Sequence, residues 1–408
     1  MGSKTQLMEV SLYIFVNHTY LEEFRMKKLT TKKKVALTAL TLMAPGIIII
    51  SSSYTDVSHP VEAKQIITSN TTNPVKKKLP NIKILATGGT IAGTGSTSAQ
   101  TTGYKAGVLT PDQLIEAVPG LKDVANISTE QVANIDSGTS NTDALMVKLA
   151  KEVHKALDDP ECDGVVITHG TDTMEETAYF LNLTVHSDKP IVLVGAMRPS
   201  TSLSADGPLN LYNAVILAGS KEARDKGVMI SMNGKIGSAR DTFKTNTTDV
   251  DAFGNPELGS LGYIQGGKPY FYNVPTKKHT TESDFDIRKI TEDNLHRVDI
   301  VYSHADDDRV MVDAAVAAGA KGIIHAGTGN GSINEKTLPG LQDAVKKGVV
   351  VVRDTRVPEG MVTHEQTDED NHFVNSGNIN PQKARILLML VLTKTEDPNK
   401  IQEYFNEY

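Results

Sequence analysis

Cysteine is almost absent: Cys162 stands alone among 408 residues. A single thiol excludes an intramolecular disulfide and a metal cage built from cysteine. It leaves the compartment open. An excess of positive charge is missing too. There are 42 Lys and Arg against 49 Asp and Glu, a net charge of −7, and the basic residues bunch only near the N-terminus. Nothing in that distribution favours nucleic acid. The apolar run 35–50, broken by Pro45-Gly46, falls short of the ~20 residues that a membrane-spanning helix needs. Common catalytic patterns are missing as well. There is no Gly-x-Ser-x-Gly elbow and no Walker A lysine after glycine. The histidines lack His-Glu-x-x-His spacing, so no metal site is expected. Gly327-Thr328-Gly329-Asn330-Gly331 misses the dinucleotide fingerprint. No internal repeat stands out. If the chain is an enzyme, hydroxyls, carboxylates and one lysine must do the chemistry.

What is present is enough chain for two or three domains, with an ordinary 39% hydrophobic content. Residues 1–25 carry no motif and are unassigned. From Met26 a different pattern begins: Lys27, Lys28, Lys32, Lys33 and Lys34, then the apolar run. Cations followed by such a run have the design of a secretory signal. Segment 26–63 is therefore expected to direct export, either cleaved after Val61-Glu62-Ala63 or kept as an anchor. Met26 is the candidate start, with 1–25 an upstream extension. Residues 64–78 continue a stretch rich in Ser, Thr, Asn, Lys and Pro that reads as a linker.

The organising stretch is Ile82-Lys83-Ile84-Leu85-Ala86-Thr87-Gly88-Gly89-Thr90. A short, mostly apolar strand ends in two glycines and a hydroxyl, at the strand end where α/β proteins hold ligands. A long polar loop from Gly88 to Gly107 follows, with Tyr104 in it. A helical stripe covers 141–157, capped by Asn141 or Thr142. Fully apolar strands at 164–168 and 191–194 imply a parallel sheet. Asp206-Gly207-Pro208 opens a helix with Asp206 as its cap, and 228–232 is a further strand. Residues 254–296 read as a connection. Strand and helix then alternate again, at 299–303, 309–318, 322–326, 335–346 and 349–352. Asn380 caps a last helix through about 393. The fold class is α/β, with a larger N-terminal domain at 79–268, a connection at 269–297 and a smaller domain at 298–408. Both sheets are expected to be mainly parallel.

Taken singly, the polar residues at these strand ends are bland. Asp172 with Glu175 fits a helix cap and capping box. Lys244 reads as a surface charge. Tyr104 and Ser137 are unremarkable, and Asn330 suits a left-handed turn as well as a ligand contact. Yet Thr168-His169-Gly170-Thr171-Asp172-Thr173 is denser in polar groups than a cap requires.

Several motifs together resemble those of bacterial L-asparaginases, the asparaginase/glutaminase family. They are Ala86-Thr87-Gly88-Gly89-Thr90-Ile91-Ala92, the run from Ile167 through Ala178, Gly195-Ala196-Met197-Arg198-Pro199, Asp206 through Ala214, Lys244-Thr245-Asn246-Thr247 and Asn380 through Arg385. The resemblance spans roughly 79–408 and, with the signal-like N-terminus, points to the exported type II branch. It implies hydrolysis of L-asparagine to L-aspartate and ammonia, with some L-glutaminase activity and no cofactor or metal. It implies a homotetramer, with each site shared by two subunits of an intimate dimer. Thr90 would be the nucleophile, with Tyr104 beside it. Thr171, Asp172 and Lys244 would form a second cluster. Ser137, Thr171, Asp172 and Ala196 would hold the substrate, and Asn330 would reach a neighbour's site. Activation of the weak hydroxyl nucleophile needs a base, and Tyr104 and Lys244 are rivals for that role. Backbone N–H groups near Gly89 or Ala196 would face the oxyanion. Two departures stand out. Gly138 replaces the Gln or Glu common after the substrate-binding serine, and the loop Glu359 to Asp370 does not align with the family's segment for its acidic residue, for which Glu365 is a candidate.

Three other readings remain at this point. A dual glutaminase–asparaginase shares the chemistry. An exported binding protein would use the same cleft without turnover. A nucleotide-binding enzyme would use the Gly-rich loops but lacks the phosphate lysine.

Overall fold

The computed structural model describes residues 78–408, which lie in one compact unit of the chain. The segments 1–25 and 26–63, and the linker up to residue 77, lie outside the described residues.

Fourteen strands form in the described residues. They are β1 (Asn81–Gly88), β2 (Asn126–Ile135), β3 (Gly164–Thr168), β4 (Ile191–Val194), β5 (Val228–Met232), β6 (Lys235–Ser238), β7 (Phe243–Lys244) and β8 (Phe253–Gly254), followed by β9 (Gly262–Gln265), β10 (Lys268–Phe271), β11 (Val298–Tyr302), β12 (Gly322–Gly327), β13 (Val350–Thr355) and β14 (Val374–Asn375). Eight make the large sheet, in the order β10-β9-β6-β5-β4-β3-β1-β2. The run from β5 to β2 is parallel throughout. The β5–β6, β6–β9 and β9–β10 pairs are antiparallel. The small sheet is β11-β12-β13-β14, all parallel. The α/β expectation of a larger, mainly parallel domain and a smaller parallel one is thus what the chain forms.

The apolar runs explain the central strands. Every residue of β3, β4 and β5 is buried, because helices cover both faces. Three cores result. One lies on the face of the large sheet that carries the Gly207–Ala218 helix. A second lies between the two sheets, where the helices Met174–Thr184 and Pro381–Val391 pack together. The third lies on the far side of the small sheet, under the helices Val310–Ala317 and Leu338–Lys346. The Met174–Thr184 helix is buried on all sides: only Glu176 is not fully enclosed.

The structure departs from expectation in several places. The connecting stretch 254–296 contains β9 and β10, which extend the large sheet. Asp206 does not cap the helix that follows it; its carboxylate accepts the N–H groups of Met197 (2.9 Å) and Arg198 (3.0 Å) instead. Thr142 is the cap of the Asp143–Asp158 helix, accepting the Leu145 N–H. The helix expected from 335 begins at Leu338. The Pro381–Val391 helix is not the last, since Pro398–Glu407 follows.

Asp354, at the end of β13, accepts the Thr355 N–H through one oxygen and is otherwise enclosed. Burial pushes its carboxyl up to about 7. A folded-state value above the unfolded one means that the native protein holds the extra proton. Stability then falls as pH rises from the unfolded value to about 7. An Asp354→Asn variant keeps the acceptor without the charge. Its melting temperature, relative to wild type, should be higher at pH about 8 than at pH about 5. Parallel curves at the two pH values would show that Asp354 does not titrate there.

Candidate active site

The chain leaves β1 for β2 on one side and returns to β3 on the other, so the sheet's direction of growth reverses between β1 and β3. A crevice opens outside the carboxyl ends of strands at such a reversal. Thr90 follows β1, Thr171 and Asp172 follow β3, Ser137 follows β2, and Ala196 follows β4. Four adjacent strand ends therefore deliver five of the expected residues.

Their approach is set by glycine. Gly89 has φ +78°, and a Cβ there would lie 2.4 Å from the Gly170 N and Cα. A Cβ on Gly170 would in turn lie 2.2 Å from the Ser137 Oγ. The loops carrying Thr90, Ser137 and Thr171 touch because neither glycine has a side chain. The Gly89 N–H donates to the Ile135 carbonyl at 2.9 Å, tying the β1 loop to the end of β2.

Two hydroxyl–partner pairs result. The Thr90 Oγ1 and Tyr104 hydroxyl are 2.7 Å apart. The Lys244 Nζ donates to the Thr171 Oγ1 (3.0 Å) and the Asp172 Oδ1 (2.6 Å). Thr90, Thr171 and Ser137 are buried, whereas Asp172 is open to solvent. Burial pushes the Tyr104 phenol upward, the carboxylates of Asp172, Asp136 and Asp206 add to this, and the Thr90 hydrogen bond opposes it. Tyr104 therefore keeps its proton at neutral pH.

The long loop after Thr90 is strapped down. Thr94 bridges Lys105. Ser200 donates its N–H (2.9 Å) and hydroxyl (2.8 Å) to the Gly93 carbonyl, and the Gly95 N–H donates to the Thr201 hydroxyl at 2.8 Å. These bonds run from the segment after β4 to the loop that carries Tyr104.

The capping alternative for Asp172 and Glu175 is not what forms. Thr173 occupies the cap position of the Met174–Thr184 helix without a side-chain cap, and Glu175 accepts the Lys244 N–H at 3.2 Å. Nor is Lys244 a free surface charge, since its ammonium is held by two partners. Gly138 sits against Asp172: a Cβ there would lie 2.7 Å from Oδ2. Ala196 is fully buried near the Gly207 backbone. The N–H groups of Gly89, Met197 and Arg198 are already engaged, so the oxyanion donors expected near Gly89 and Ala196 are not these three.

Asn330 is not brought to this crevice. It follows β12 in the small-sheet lobe and donates to Thr363 (2.8 Å) and Glu365 (2.9 Å). The buried Arg353–Asp368 ion pair holds that cluster, with Arg353 also donating to the Asn330 and Thr363 carbonyls. Among the described residues, no group of three or more His, Cys, Asp or Glu is placed to hold a metal ion.

Comparison with known proteins agrees with this geometry. Residues 81–277 match the family "Asparaginase, N-terminal", and 297–405 match the "Glutaminase/Asparaginase C-terminal domain". L-asparaginase 2 of Bacillus subtilis is 55% identical over 334 residues, covering 82% of this chain and 88% of that protein. The glutaminase-asparaginase of Pseudomonas fluorescens biotype A is 48% identical over 336 residues, covering 82% and 92%. A crystal structure described as a probable cytoplasmic L-asparaginase from Campylobacter jejuni has a TM-score of 0.78 at 54% identity, covering 81% of this chain and all of that one. The chain belongs to the asparaginase family, on the side of the bacterial type II enzymes.

The expected export is corrected by the same comparison: the Campylobacter jejuni protein is described as probably cytoplasmic. The expectation rested on cations and an apolar run within 26–63, a pattern of local composition that lies outside the described residues.

The Gly89–Gly170 contact is the most exacting feature of the site. Gly89→Ala should cost about 2–4 kcal/mol, because two backbones must separate. Urea unfolding measures this, and an unchanged midpoint would show that the close approach is not needed.

Proposed function

We propose that this chain hydrolyses L-asparagine to L-aspartate and ammonia, with L-glutamine as a slower substrate, using Thr90 as nucleophile. The observation that carries the reading is the pairing of two threonines with two different partners at one strand crossing: Thr90 with Tyr104, and Thr171 with Lys244 and Asp172. Family membership supports the reaction, and the glutaminase-asparaginase relative supports the second substrate.

The Thr90 oxygen attacks the side-chain amide carbon, and its proton passes toward Tyr104. Because Tyr104 is protonated at rest, it relays its own proton onward as it accepts one. The C–N bond then breaks, ammonia leaves with the added proton, and an ester to Thr90 remains. Water cleaves the ester and returns the hydroxyl. The Asp172 carboxylate offers a charge-assisted bond to the substrate ammonium, and Ser137 lies where it can meet the α-carboxylate. The Lys244 ammonium beside Thr171 keeps that hydroxyl oriented. The strapped loop shields Thr90 from bulk water.

The working assembly is a homotetramer whose sites are shared between subunits. Asn330 and Glu365, bonded to each other in the small-sheet lobe, are the groups that would meet a partner's site.

Ammonia release by the full chain, with L-asparagine and L-glutamine run in parallel, tests the function. Release from neither by folded protein would contradict it and favour a binding role. Thr90→Val should abolish release while circular dichroism stays unchanged; a near-normal rate would remove Thr90 as nucleophile. Lys244→Met should lower the rate about 10²-fold with the fold intact, and unaltered kinetics would return Lys244 to a surface charge.

A further inference from the structure

Lys244 lies on β7, and β7 belongs to neither the large sheet nor the small one. It pairs only with β8, as a ribbon of two residues on each strand. Two such short strands are not stable by themselves. Something else must hold the Lys244 backbone, since its ammonium must stay near 3 Å from the Thr171 Oγ1.

Two buried charges meet that need. Lys383, on the Pro381–Val391 helix of the small-sheet lobe, is 1% exposed. Its ammonium donates to the Arg240 carbonyl at 2.8 Å and the Thr242 carbonyl at 2.7 Å, just ahead of β7. Glu175, one turn beyond Thr171 and Asp172, accepts the Lys244 N–H itself. The charges that face Lys383 are Glu175 from the Met174–Thr184 helix, and Asp241 and Arg240 from the turn after β6. Glu175 and Asp241 favour its ammonium form, while Arg240 and burial oppose it; the outcome is a value of about 8. Lys383 in turn draws the Glu175 carboxyl down against the larger upward push of burial.

A buried charge costs solvation and needs a reason. We propose that Lys383 and Glu175 are positioning residues for Lys244, holding residues 240–244 where the Lys244 ammonium reaches Thr171 and Asp172. The inference rests on the proposed function, in which Lys244 belongs to the catalytic site. Through it the small-sheet lobe acts on the chemistry of the same chain. The Pro381–Val391 helix packs against the Met174–Thr184 helix, so one interface places both Thr171 and Lys244.

The test uses the full chain with Glu175→Gln, Lys383→Met and both together, measuring ammonia release from L-asparagine across pH. Each single change should lower kcat about tenfold or more, because small displacements of a catalytic group are costly. The double variant should fall no further than the worse single one, as expected of groups acting as a unit. In Glu175→Gln, Lys383 loses a carboxylate that stabilises its charge. The alkaline limb of the kcat profile should therefore move to lower pH. A folded Glu175→Gln variant with wild-type kcat and an unmoved limb overturns the proposal, as do effects that multiply in the double variant. If Lys383→Met fails to fold, Glu175→Gln still decides. The wild-type rate measured alongside tests the proposed function separately.

Discussion

The close approach of two backbones, at Gly89 and Gly170, is the constraint on which the rest of the site depends. It lies where the large sheet reverses its direction of growth, between β1 and β3. A side chain at either glycine would push the two strand-end loops apart, and Ser137 with them. With both glycines bare, three loops from three strands share one small space. The hydroxyls of Thr90, Ser137 and Thr171 are gathered there.

Around that contact, the site is assembled from parts of different rigidity. Thr90 and Thr171 sit directly on the ends of buried parallel strands, which are hard to move. Tyr104 comes from a long loop held by a few hydrogen bonds to residues 200–201. Lys244 comes from a two-residue strand that depends on buried charges beneath it. The fixed parts carry the groups that would bond to substrate. The tethered parts carry the groups that would handle protons and orient hydroxyls.

Much of this was legible in the sequence, for identifiable reasons. β1, β3 and β4 are apolar runs stopped by glycine, and nothing competes with that reading. β2 escaped because it is an edge strand, mostly half-buried or exposed and rich in polar residues, from Asn126 to Ile135. β7 and β8 escaped because two residues carry no period. Thr90, Thr171, Asp172 and Lys244 were bland one by one. The motif resemblance grouped them, and the fold explains the grouping, since Lys244 meets Thr171 from 73 positions away. Glu175 looked like part of a cap because its spacing from Asp172 suits one, yet its carboxylate faces another segment. Lys383 stood inside a resembling motif, but its burial could not be read from one charged letter. The resemblance set Asn330 toward a neighbour's site, and in the structure it bonds to Thr363 and Glu365 within the small-sheet lobe. Export was read from composition alone, and the comparison with a relative described as probably cytoplasmic did not uphold it.

The central claim is that the hydroxyl of Thr90, just after β1, forms the covalent bond, not that of Thr171, just after β3. Rapid acid quenching during turnover of L-asparagine by the full chain, followed by peptide mapping with mass spectrometry, addresses this directly. The account predicts an aspartyl ester on the peptide containing Thr90. An ester on the peptide containing Thr171 would contradict it and would make Lys244 and Asp172 the groups that activate the nucleophile.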